Sequence, residues 1–187
     1  MSEELLRAAQ RSLKNGEAIA YSDETGTFLL ADSLGDALLG EIAKAAKLKQ
    51  VGFQLFINDL TLVERYVSQL PHAAVDLMEV SVRPLLVIFS SGKNIAPNLL
   101  APDGSLGLRL VGNKLIDELI YRMRRPIAAL PIRWMEKGVE QRLDGEAISI
   151  LGAKQEIHLQ EDSGKNRLEE WSVIRFDKAG RLSILRG

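Results

Sequence analysis

An α/β domain built on a mixed sheet is what this sequence predicts. Three observations carry that prediction. Continuous apolar runs such as Leu85–Phe89 read as strands covered on both faces. Amphipathic stretches at helical spacing separate them, the clearest being Leu115, Ile116, Leu119, Ile120 and Met123. Helical and strand patterns alternate through the first two thirds and give way to a β-rich end. With 187 residues, the length suits one domain over residues 1–187, and no repeat or linker divides it.

The elements follow in order. Leu5, Leu6, Ala9 and Leu13 predict a helix over 3–14, closed by Gly16. Residues 17–21 and 27–31 read as strands around the turn-rich Ser22–Gly26. Ser33 and Asp36 have capping-box spacing before a helix with Leu34, Ala37, Leu38, Ile42 and Ala45 on one face. A strand is expected over 51–57. Thr61 and Glu64 repeat the capping-box spacing ahead of Leu62, Val63, Tyr66, Val67 and Leu70, and Pro71 is expected to end that helix. A short helix at 72–78, the strand at 85–89, a loop over 90–105, a strand at 106–111 and the helix through Met123 come next. Residues 126–130 read as a strand, and 131–145 as irregular. Short strands are expected at 147–151, 156–159, 171–176 and 182–185, the last two joined by a hairpin turn at Asp177–Gly180.

Composition excludes several chemistries. Cysteine is absent and only His72 and His158 are present, so thiolate chemistry and cysteine- or histidine-rich metal sites are ruled out. The formal charge is −1, so nucleic-acid binding would need a local patch. No apolar run is long enough to cross a membrane. The N-terminal segment lacks a leader-type apolar core, and the cytoplasm is the expected compartment. No phosphate-binding glycine loop appears, and neither histidine sits where a catalytic triad would need it. Asp23 and Glu24 lie in a turn and, being adjacent, make a poor acid–base pair. Basic residues concentrate between Arg109 and Arg142, mostly on what reads as a solvated helix face. Arg109 differs: it interrupts an apolar strand, so it needs a partner or a cleft.

The whole-chain order resembles the YrdC/YciO-type family, the threonylcarbamoyl-AMP synthases of tRNA modification. "LLRAAQRSLKNGEAIAY" is similar to the family's opening helix and strand. "SDETGTFLLA" stands where it carries Pro-Thr-Asp-Thr-x-Tyr-Gly-Leu, and "IAKAAKLKQVGFQLFI" where it has Lys-x-Arg-Pro and a strand. "RPLLVIFSS" resembles its Pro-Gly-Pro-x-Thr strand. "GSLGLRLVGNKLIDELIYRMRRPIAAL" resembles its Gly-x-Arg-x-Pro strand, the following helix, and the strand leading to Ser-x-Asn. "WSVIRFDKAGRLSILRG" is similar to its Ser-Thr-Val-x-Asp segment and terminal arginine.

The resemblance implies a twisted mixed sheet with flanking helices and a concave, positively charged cavity. It also implies ATP, threonine and bicarbonate as ligands, and double-stranded RNA or tRNA as partners. Carried over residue by residue, it assigns ligand binding to Thr25, Lys47, Arg109, Arg133, Ser172 and Arg186. Lys47 stands at an arginine position and Arg133 at the asparagine of Ser-x-Asn. Asp23, Leu86 and Pro131 occupy places where the family has hydroxyl groups. These departures imply a catalytically silent member with no catalytic residue, no metal site and no required cofactor, binding a nucleotide (ATP with Mg) or RNA phosphate. The alternative is an active synthase with rearranged side chains. A scaffold with a vestigial cavity is the third reading.

Overall fold

A computed structural model describes residues 3–46, 52–143, 158–160 and 169–186. Among these, five α-helices and ten strands form: α1 Glu3–Lys14, β1 Ile19–Asp23, β2 Gly26–Asp32, α2 Asp36–Ala45, β3 Gln54–Ile57, α3 Val63–Tyr66, α4 His72–Val80, β4 Leu85–Phe89, β5 Leu106–Leu110, α5 Lys114–Met123, β6 Ile127–Glu136, β7 Val139–Arg142, β8 His158–Gln160, β9 Ser172–Phe176 and β10 Leu182–Arg186. One mixed sheet runs β10-β9-β4-β5-β3-β6-β2-β1-β8, with β7 paired to β6. The expected central strands at 85–89, 106–111 and 126–130 are all inside it. The expected strand at 147–151 lies outside the described residues.

Helices cover both faces, which is why the strands read as unbroken apolar runs. Side chains alternate along a strand. Leu55, Val87, Leu108 and Leu130 therefore pack on one side with α2, α3 and α4. Phe28, Phe56, Leu86 and Ala129 pack on the other with α1 and α5. Arg109 lies on this second side. Its register neighbours are Phe56 on β3 and Leu86 on β4, so a cation occupies a place in the sheet built for an apolar group.

Four local expectations are corrected. Ser33 does not cap α2: its hydroxyl donates to the Pro126 carbonyl at 2.8 Å, and Asp36 accepts from the Asn98 backbone N–H instead. Thr61 does not begin a long helix. Asp59 caps a single 3-10 turn, α3 stops at Tyr66, and Val67 turns extended to bridge Gly92. Pro71 therefore opens α4, where its missing N–H costs nothing, rather than closing the helix before it. Residues 131–142 are not irregular: β6 runs through Pro131 to Glu136 and turns at Lys137-Gly138 into β7. The register against β2 shifts between Thr27 and Phe28, and Pro131 lies beside this bulge.

Candidate functional site

Two features of the chain bring the site together. β1 and β2 meet in a turn so tight that only Glu24 and Thr25 separate Asp23 from Gly26. Gly26 is required there, because a Cβ would lie 2.3 Å from the Arg133 carbonyl oxygen on β6. Asn113 caps α5 by accepting from the Ile116 N–H at 2.9 Å. The turn and the cap face each other across the end of β5, where Arg109 emerges.

A continuous hydrogen-bonded chain links them. The Asn113 side-chain amide donates to the Tyr21 hydroxyl, which donates to Asp23 Oδ2 at 2.9 Å. Asp23 Oδ1 accepts twice from Thr25, from its N–H at 2.8 Å and its hydroxyl at 2.5 Å. The Thr25 hydroxyl in turn accepts from Arg109 Nη2 at 2.9 Å. Tyr21, Asp23, Thr25 and Arg109 are all buried. Thr25 thus relays between a buried cation and a buried carboxylate that do not touch directly.

The rest of the Arg109 guanidinium meets π faces. Its central carbon lies 5.6 Å from the Phe28 ring centre, 5.5 Å from Phe56 and 5.6 Å from Trp171. Desolvated contacts of this kind are worth about 2 kcal/mol or more. Burial pushes this guanidinium below the usual arginine range, opposed by Asp23, Tyr21 and Glu24. Among the described residues, Nε and Nη1 have no hydrogen-bond acceptor. Buried donors of a charged group rarely stay unmet. Arg186 also engages Trp171, at 4.8 Å from its ring centre, and its Nε donates to the Trp171 carbonyl at 2.9 Å.

A cavity of about 420 Å³ opens beside Arg109, between the β1–β2 turn, the start of α5, the segment before β4 and Glu169. Its charged lining comprises Asp23, Glu24 and Glu169 against Arg83 and Arg109. This cavity therefore lacks the positive lining expected from sequence: among its described lining residues, carboxylates outnumber cations.

The six ligand residues expected from sequence separate into groups. Thr25 and Arg109 bond directly, and Arg186 joins them through the Trp171 ring rather than across open space. Arg133 lies on the β6–β7 hairpin, in the strand and not on a loop, and its Nη2 donates to Glu140 at 2.7 Å. Alternation along β9 puts Ser172 on the side of Ile174, opposite Trp171 and Arg109. Lys47 lies outside the described residues. Asp23, at a hydroxyl position of the family, is the counter-charge of Arg109, linked to it through Thr25. Leu86 packs into the core on the α1 and α5 side.

Tyr21, Asn113 and Trp171 were missed by sequence reasoning. The period-2 spacing of Tyr21 and Asp23 on an apolar strand was a usable signal, since it puts both polar groups on one buried face. Trp171 gave none, because its meeting with two distant arginines is purely tertiary. Among the described residues no group of three histidines or carboxylates converges on a metal position, and no helix is long and apolar enough to cross a membrane.

Residues 11–187 match the Sua5/YciO/YrdC family, described as telomere recombination. Similar solved structures include E. coli YciO, 20% identical with a TM-score of 0.73, covering 99% of this chain and 89% of that one. A structure of P. abyssi Sua5 complexed with L-threonine is 18% identical, TM-score 0.71, with 100% of this chain and 54% of that chain covered. Full-length HypF in a phosphate- and nucleotide-bound form is 21% identical, TM-score 0.72, with 97% and 28% covered. The chain thus spans about half of that Sua5 and little more than a quarter of HypF. At these identities the likeness shows the fold. Among curated proteins none matches.

Proposed function

Because this chain belongs to the Sua5/YciO/YrdC family, we propose that it is a ligand-binding domain of that fold that does not carry out threonylcarbamoyl-AMP synthesis. In this reading its cavity takes a small ligand bearing a single anionic group. The observation that carries the reading is Arg109, a buried cation in the cavity wall with two donors that lack acceptors among the described residues. A carboxylate or phosphate oxygen would satisfy them once a bordering ring, Trp171 or Phe28, gives way to admit it, and the planar fork of arginine suits an oxyanion. The homologue structures described with threonine, and with phosphate and nucleotide, are consistent with ligand binding on this fold.

The lining supports a small, singly charged ligand over a triphosphate. A phosphate charge about 6 Å from a carboxylate is repelled by roughly 3 kcal/mol at an effective dielectric near 20. Asp23, Glu24 and Glu169 would impose that on several phosphates at once. A ligand with one anionic group and one hydrogen-bond donor or cation meets both signs of the lining. Mg would enter only with a nucleotide's own phosphates, since the described side chains offer no converging set for it. Hydroxyl positions used for synthesis in the family are here Asp23, Leu86 and Pro131.

The test combines catalysis and binding. Pyrophosphate release from ATP, threonine and bicarbonate is expected to stay at background. Calorimetric titration with inorganic phosphate, threonine and ATP–Mg should show uptake of one of the first two in preference to ATP. Arg109→Leu should abolish it. Threonine-dependent pyrophosphate release would restore the synthase reading. No uptake of any of the three would favour the scaffold.

A further inference from the structure

A second charged concavity lies at the other end of the domain. Asn113 starts α5 at the cavity, and Arg124 ends it about 15 Å away, ten residues at 1.5 Å each. Around that far end, two adjoining lobes of about 410 and 690 Å³ share Arg65, Arg122, Arg124 and Arg125. Lys14, at the end of α1, lines the larger lobe. Among the described residues no carboxylate lines either lobe, in contrast to the cavity at the β1–β2 turn.

Part of this charge has ordinary structural causes. Glu3 and Glu118 each hold Arg122 at 2.7 Å, and Asp32 lies 3.6 Å from Arg125. Lys14 and Arg122 sit in last helical turns, where cations offset the helix dipole. Lys14, Arg65 and Arg124 make no ion pair among the described residues.

Arg124 is the residue that structure alone does not account for. It ends α5 in the left-handed conformation, φ 57° and ψ 27°, where glycine is the usual and least strained choice. An arginine there goes against the local backbone preference, and the residue lines both lobes. One turn earlier, Tyr121 is 77% exposed, unusual for so large a ring, and it lines the same groove.

We propose that this groove binds a linear chain of phosphates, with Lys14, Arg65 and Arg124 neutralising successive charges. Two sources share that chemistry, a single nucleic-acid strand and inorganic polyphosphate. The exposed Tyr121 ring favours the strand, because a base can stack on it. Nothing in this proposal depends on what the cavity beside Arg109 binds.

The experiment is fluorescence anisotropy with a labelled 12-nucleotide oligouridine at low salt, competed by inorganic polyphosphate and by an acidic polyglutamate peptide. Arg124→Gly is the informative variant. Glycine suits the left-handed position, so the variant should unfold at the same or a higher temperature, yet bind roughly tenfold more weakly, a factor equal to about 1.4 kcal/mol. The slope of log affinity against log salt should fall by about 0.7 for each phosphate contact removed. Arg181→Gly, on the β9–β10 hairpin, is the charge-matched control and should change neither.

Weakened binding in Tyr121→Ala identifies the nucleic-acid strand. Full competition by polyphosphate with Tyr121→Ala neutral identifies the inorganic chain. Either supports the site. Polyglutamate competing as well as polyphosphate would overturn it in favour of an acidic protein surface. Affinity unchanged in a folded Arg124→Gly would overturn it outright.

Discussion

Replacing Asp23 by alanine removes the acceptor of three hydrogen bonds and the counter-charge of a buried arginine in one step. The Tyr21 hydroxyl, the Thr25 N–H and the Thr25 hydroxyl all lose their acceptor. Arg109 remains on the α1 and α5 side of the sheet with Thr25 as its one hydrogen-bond partner among the described residues. Three bonds to a charged acceptor, counted singly at about 1.5–3 kcal/mol, would overstate the loss, because burying the carboxylate itself costs energy. Breaking a buried pair by removing one partner costs about 3–5 kcal/mol. For a domain of this size that corresponds to a melting temperature lower by about 6–20 °C.

The discriminating measurement is a double-mutant cycle with Arg109→Leu, read by urea denaturation. Leucine fits a slot already bordered by Phe56 and Leu86, so removing the cation alone should cost less than removing the carboxylate alone. With both changes, no unpaired charge is left in the apolar layer. The double variant should therefore be more stable than Asp23→Ala by about 1–4 kcal/mol. Strict additivity would refute the reasoning, because it would mean that the Thr25 relay carries no coupling between the two charges.

Two further outcomes are expected. Gly26→Ala should destabilise by more than about 1 kcal/mol and disturb the β2–β6 pairing, since its Cβ would press on the Arg133 carbonyl; unchanged thermal unfolding would show that the bulge can yield. Arg133 and Arg142 hold the Glu140 carboxyl down to about 2, so its contribution to the β6–β7 hairpin is present above its ordinary range near 4.5 and lost as pH falls toward 2. Carboxyl NMR titration should show this, and Arg133→Gln should move the midpoint back up, whereas an unmoved midpoint would mean that Arg133 is not its main partner.

Local chemistry made most of the fold legible. The apolar stripe of α5, the runs at β4 and β5, and the Asp177–Gly180 hairpin are set by near neighbours in the chain, and each formed where its pattern indicated. Arg109 could be singled out as well, because a charge in an apolar strand must be answered by something. What answers it could not be read. Thr25 lies 84 positions away in sequence, and the Asn113–Tyr21 bond spans 92. Trp171 reaches both Arg109 and Arg186 only because β9 pairs with β4.

The same reason explains the failed assignments. Ser33 and Thr61 had capping spacing, but the Pro126 carbonyl and Asp59 offered different partnerships. Arg133 and Ser172 had the right neighbours in sequence, yet an ion pair with Glu140 across the β6–β7 hairpin and the two-residue period of β9 turned them elsewhere. Sequence by itself determined where backbone and burial preferences are local. Tertiary structure decided which buried charge meets which acceptor, because those energies depend on distances that only the folded sheet sets.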